Sequence, residues 1–355
     1  MAGETATGIE FTAYRRAEII HYAHNSLIIS SYSNTVSIDH DGAKATFRLP
    51  QPGWKRHLLN SRLARRAARL DKCNCVPIFD ANGAPEALVA VRQGQVFHID
   101  LASGTITPTL ALRQCRNVLH QSITLTPSGN LFFGEYGHNG ERNSVPVYKS
   151  KDHGRSWKVV YEFPAGSIKH VHGCYWDRHA QKVWVCTGDF AGENQVLSAD
   201  EDFIGVKRYG DGSQAWRTCY PFFFPDRVVW AMDSQLETSC LCVLDRATGE
   251  LTKRQEFPGP VWYAKELTDG WYLLATACEI GPGVKDNKCH IFASRDALDW
   301  HEVYSVRHDG LPKRYFKFGV LGFADGEQSS DSFYLFAEAV RHLDGKSFQC
   351  KLVRK

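Results

Sequence analysis

The sequence predicts an all-β chain folded as a seven-bladed β-propeller of four-stranded blades. Three observations carry this. The chain breaks into units of four short strand patterns, each closing on an Asp, Asn or Gly turn. Comparable first-strand positions, His170, Trp216, Trp262 and Tyr315, recur at spacings of 46, 46 and 53 residues, and one propeller blade takes about 40–50 residues. The third unit also carries a hairpin sequence, Ser150 to Trp157, reading SKDHGRSW. There the Asp and Ser oxygens can bind the N–H groups of the turn, Gly154 can take a backbone conformation other residues resist, and Trp157 can pack beneath.

Taken in order, the first unit reads AEIIHYAH, SLIISSYSN, TVSIDHDG and AKATFRL. The second begins at Cys73, the third near Arg116, the fourth at Ile168, the fifth at Ala215, the sixth at Val261 and the last at Arg314. This last unit lacks a fourth strand, while GIEFTAYR near the N-terminus has no unit of its own. Pairing the two closes the ring and removes an exposed edge. Weaker copies of the hairpin turn follow in the fourth unit (Ser198, Asp200, Phe203) and the sixth (Ser294, Asp296, Trp300).

One segment breaks the strand pattern. Residues 58–72, LLNSRLARRAARLDK, place Leu59, Leu63, Ala67 and Leu70 on a helical stripe, with Arg62, Arg65, Arg66 and Arg69 around it. This predicts a short basic helical insertion between the first two units. Either it covers a blade as a solvated helix, or it offers a basic lid or a peripheral contact for an anionic polymer or membrane surface.

Composition sets the outer bounds. With 355 residues, 43% hydrophobic and 23% charged, residues 1–355 can form one domain with a large core. A net charge of +3 gives no global steering, so acidic partners need a local patch. Outside Arg62 to Arg69 the basic residues form no stripe, which argues against nucleic acid. The eleven cysteines fall mostly in strand patterns and read as buried apolar residues in a reducing compartment. The N-terminus has no basic-then-apolar leader, and no run suits a transmembrane span. The expectation is a cytoplasmic protein.

The S-x-D-x-G-x-[ST]-W spacing of Ser150, Asp152, Gly154, Ser156 and Trp157 resembles the Asp-box β-propellers. That superfamily includes sialidases, several polysaccharide lyases and receptors without catalytic activity, so the resemblance implies a fold and leaves the reaction open. In such a ring, the loops between blades and those from second to third strands open on one face. First-strand beginnings and second-strand ends would then gather aromatics, arginines, histidines and carboxylates at one mouth.

At that mouth Arg116, Arg142, Arg217 and Arg314 suit a carboxylate, as in an acidic, uronate-containing oligosaccharide or polysaccharide. Trp216 and Tyr315 offer flat faces to a sugar ring or fill the channel wall, and His138 adds a polar contact in the Gly-rich loop GEYGHNGERN. His170 and His172 alternate onto one strand face. The resemblance to propeller lyases implies β-elimination: a positive charge on the uronate carboxylate, His170 or His172 as base, and Tyr136 or Tyr263 as acid. No cofactor is required, though a divalent cation would fit that chemistry. Two alternatives stay open. One is a glycoside hydrolase, for which Phe47 to Pro50, FRLP, is similar to the sialidase F-R-I-P motif but sits on an outer-strand pattern. The other is a propeller that binds glycan or protein without catalysis.

Overall fold

The computed structural model describes residues 5–51 and 53–355. Its strands form seven four-stranded antiparallel sheets, the blades of a β-propeller. The first blade runs Ile19–His24, Leu27–Tyr32, Thr35–His40, Ala43–Arg48, and the second Asn74–Phe79, Pro85–Arg92, Gln95–Asp100, Ile106–Ala111. The third is Thr124–Leu125, Leu131–Gly134, Val145–Ser150, Lys158–Phe163, and the fourth His170–Asp177, Lys182–Gly188, Asn194–Ala199, Lys207–Gly212. The fifth is Phe222–Phe223, Arg227–Ala231, Ser239–Asp245, Leu251–Phe257, and the sixth Val261–Glu266, Tyr272–Thr276, Lys288–Ser294, His301–Arg307. The seventh takes Val320–Phe323, Phe333–Glu338 and Lys346–Arg354 from the C-terminal end and its fourth strand, Ala6–Arg15, from the N-terminal end. As expected from GIEFTAYR, that strand pairs antiparallel with Lys346–Arg354.

The third, fifth and seventh units open differently from their strand patterns. Residues before Thr124 form turns, Gln214–Trp216 is a 3-10 turn, and Lys313–Phe316 is a single helical turn. In these blades the first strand is only two to four residues long.

Contacts divide the chain into two compact units. One holds the described residues up to Asp71 with Asp233–Leu241 and Lys253–Lys355; the other holds Lys72–Met232 and Cys242–Thr252. The core of the first includes Leu273, Ile291, Phe323, Leu335 and Phe336. In the second, Phe132, Val147, Val171, Val183, Val185 and Leu197 pack between the third and fourth blades. The run KVWVCTG is buried at every position after Lys182, whereas the outer strand Lys158–Phe163 is largely exposed. A strand sandwiched on both faces reads as a continuous apolar run, and an outer one alternates or turns polar. Ten of the eleven cysteines are buried and none forms a disulfide.

The hairpin at Ser150 is held by its own side chains. Ser150 Oγ accepts from Gly154 N at 2.8 Å, and Asp152 accepts from Ser156 N at 2.9 Å and Ser156 Oγ at 2.6 Å. Gly154 has φ +83°, a left-handed conformation in which a Cβ is strained. Ser294 and Asp296 repeat the Ser–Asp contact at 2.9 Å.

The helical insertion departs in part from the expected arrangement: Leu70 of the stripe is buried, but Leu63 and Ala67 are exposed. Gly53–Asn60 is a 3-10 helix, and Ser61 caps Arg62–Ala68 by accepting from Ala64 N. Leu63 is 52% exposed, whereas Arg65 and Arg66 are only 1% and 2% exposed. Arg62 pairs with Glu18 and Asp71 at 3.0 Å and with Asp344 at 2.9 Å. Arg66 pairs with Asp309 at 2.6 Å. Burial opposes charge on Arg62, but Asp344, Glu18 and Asp71 outweigh it and hold the guanidinium above its usual range. These arginines therefore fasten the insertion to its own unit instead of forming a free basic patch. Carboxylates brought from distant blades decide which face is buried.

Candidate functional site

A buried polar cluster lies on the inner strands of the fourth blade. His170 begins the strand His170–Asp177, which pairs with Lys182–Gly188: His170 faces Gly188, and Gly173 faces Cys186. The register shifts between Val171 and Gly173, so His172 is the extra residue of a β-bulge. A bulge re-aims its side chain, and bulges favour functional edges. The first and sixth blades repeat this shift, leaving His21 and Trp262 at the matching position. Gly188 makes room for the re-aimed ring, because a Cβ there would lie 2.6 Å from His172 Cε1.

Both imidazoles are anchored through Nδ1. His170 Nδ1 lies 2.8 Å from the Gly137 carbonyl, and His172 Nδ1 lies 3.0 Å from the Thr218 carbonyl. A carbonyl only accepts, so Nδ1 carries a proton in each ring. The two Nε2 atoms face one oxygen, Asp189 Oδ1, at 3.2 and 3.3 Å. Arg217 Nη2 approaches that same oxygen at 3.0 Å, and Lys169 Nζ approaches Asp189 Oδ2 at 2.6 Å. Tyr136 packs on His170 with the rings tilted by 40° and their centroids 4.2 Å apart, and is only half-buried.

The electrostatics follow from burial and pairing. Burial alone would raise Asp189, but the two imidazoles and Arg217 outweigh it and hold its carboxyl far below the usual range. For His170 burial dominates over the pull of Asp189, so its pKa falls below the usual 6.5. The ring is a neutral base at neutral pH, with Nε2 beside an ionised carboxylate that would hold any proton it collects.

His170 Nε2, His172 Nε2 and an Asp189 oxygen lie within 4.8 Å of one another, a donor set a divalent metal can use. Lys169 and Arg217 already neutralise that carboxylate, which weighs against adding a further cation.

The remaining predicted residues fall elsewhere. Arg142 pairs with Glu193 at 2.6 Å and lies over the Phe190 ring. Trp216 is buried against Trp230, with centroids 5.5 Å apart. Arg116 and His138 are exposed. Tyr263 belongs to the other unit, where it is 6% exposed and packs on Trp262 and Phe336. Arg314 and Tyr315 stack on each other in the exposed turn Lys313–Phe316 of that unit. The fold thus brings His170, His172, Tyr136 and Arg217 together. Glu135 accepts from Arg113 N, Gln114 N and Tyr148 Oη, clamping the loop before the third blade.

Lys169 was not visible as a site residue, although it adjoins the His-x-His pair. Asp189 carried a faint signal as the carboxylate just past the apolar run KVWVCTG.

No protein-family model matches the sequence, and no curated protein matches it. Solved structures do. U3-55K aligns with 99% of this chain and 100% of its own at 10% identity and a TM-score of 0.57. A chain of the mitotic checkpoint complex aligns with 98% of this chain and 94% of its own at 10% identity and a TM-score of 0.55. The likeness is one of fold. The extracellular domain of a putative one-component system, BT4673 of B. thetaiotaomicron, aligns over 99% of this chain but 40% of its own, at 9% identity and a TM-score of 0.53. Among the described residues, no helix is long and apolar enough to cross a membrane.

Proposed function

We propose that the fourth-blade cluster binds a uronate-containing saccharide and cleaves it by β-elimination. The observation that carries this reading is the His170 imidazole, pinned through Nδ1 on Gly137, packed against Tyr136 and bonded to Asp189, on which Lys169 and Arg217 converge. In this reading a uronate carboxylate shares Lys169 and Arg217 with Asp189, which acidifies the proton on C5. His170 Nε2 takes that proton and Asp189 stabilises the resulting imidazolium. The C5–H electrons form the C4–C5 double bond as the C4–O bond breaks, and Tyr136 Oη protonates the departing oxygen. Proton and electron pair balance without an oxidant or an added cofactor.

The test is incubation with a panel of uronate polysaccharides, followed by ultraviolet absorbance of the unsaturated product. Rising absorbance supports elimination. Reducing ends released without that absorbance point to hydrolysis, and binding without either signal points to a non-catalytic propeller.

A further inference from the structure

We propose a second oxyanion-binding site in the first blade, built entirely from residues 16–65 and independent of the His170 reading. An open cleft of about 840 Å³ lies between the Tyr32–Thr35 turn, the end of the outer strand at Arg48–Gln51 and the helical insertion. Arg16, Arg48, Arg56, His57 and Arg65 line it, and no carboxylate does among the described lining residues. In a chain whose net charge is only +3, this is a concentrated positive surface, and its field is directed into a concave space where charge is less screened than on an open face.

Two buried donors on the lining make the positive charge more than a solvated face. Arg65 spends its Nη atoms on Glu18 and the Leu59 carbonyl, which fixes the guanidinium. Its Nε, and the hydroxyl of Ser33, are buried and have no protein hydrogen-bond partner among the described residues. A buried donor left open in a native fold calls for an ion or ordered water at that spot. Arg65 and Arg16 also lie over Tyr32, at 5.0 and 5.7 Å from its ring centre. Arg48 and Arg56 are exposed. Arginine side chains with hydroxyl and amide neighbours fit a multiply charged oxyanion: carboxylates or sulfates along a saccharide, or free phosphate.

The experiment is calorimetric titration of the full chain with four probes: tri-galacturonate, sulfate, inorganic phosphate and neutral maltotriose. The double variant Arg48→Ala/Arg56→Ala removes two exposed charges and leaves the buried ion pairs intact. At least one oxyanion should bind the wild type, weaken with added salt and lose tenfold or more affinity in the double variant, while maltotriose gives no heat. Tightest binding by the trimer assigns a saccharide ligand, and tightest binding by phosphate or sulfate assigns a free oxyanion. His170→Gln should leave this binding unchanged whether or not it alters cleavage. No oxyanion binding by the wild type, equal affinity in the double variant, or loss confined to His170→Gln overturns the proposal.

Discussion

Arg217 Nη2 and His172 Nε2 meet on a single oxygen, Asp189 Oδ1, at 3.0 and 3.3 Å. Two further groups depend on that carboxylate's charge: His170 and Lys169.

Asp189→Asn keeps the shape and removes the charge. It leaves Lys169 and Arg217 without their anion, an arrangement that costs about 3–5 kcal/mol when a buried pair is broken. The variant should melt well below the wild type by circular dichroism. Because the Asp189 pKa is depressed in the folded state, its contribution is full above the unfolded value of 3.8 and fades as pH falls below it. The gap between wild type and variant should therefore narrow in acid.

His170→Gln and Tyr136→Phe each remove one proton-transfer group from this ring pair. If elimination occurs, each should slow it by about 10²–10⁴-fold, with melting temperatures close to the wild type. A rate unchanged in both variants would remove the pair from the chemistry.

The acid limb of the rate profile reports the base. Burial lowers the His170 pKa, so the neutral, reactive form persists at lower pH than for a solvated imidazole. The rate should begin to fall only below 6.5, and a limb centred above that value would point to another base.

In the helical insertion Leu70 is buried as the stripe predicts, but Leu63 is exposed while Arg65 and Arg66 are buried. Arg66→Ala strands Asp309 and frees the Phe316 carbonyl, and should cost about 3–5 kcal/mol. Leu63→Ser, on the exposed face, should shift stability by no more than about 0.5 kcal/mol. Urea titration of both variants separates a buried clamp from a solvated basic helix.

Gly154→Ala tests the hairpin. With φ +83° and a Cβ that would overlap Val89, the substitution should cost roughly 1–3 kcal/mol, read as a lower urea midpoint.

What the sequence determined by itself was local and periodic. Alternating apolar strands, Gly and Asp turns and a spacing near 46 residues specify seven blades, and the unmatched strand patterns at the two ends specify how the last is completed. The His-x-His pair was legible as a pair, but alternation does not set the face that His172 takes, because it is the extra residue of a bulge. Tertiary structure decided the rest. The bulge that turns His172 depends on pairing with Lys182–Gly188, and Asp189 becomes the hub only once Arg217 and Lys169 are folded onto it. Arg66 finds Asp309 across 243 residues, and Arg62 finds Asp344 across 282. A helical stripe records which residues share a face, but burial of that face is settled by the charges waiting opposite it.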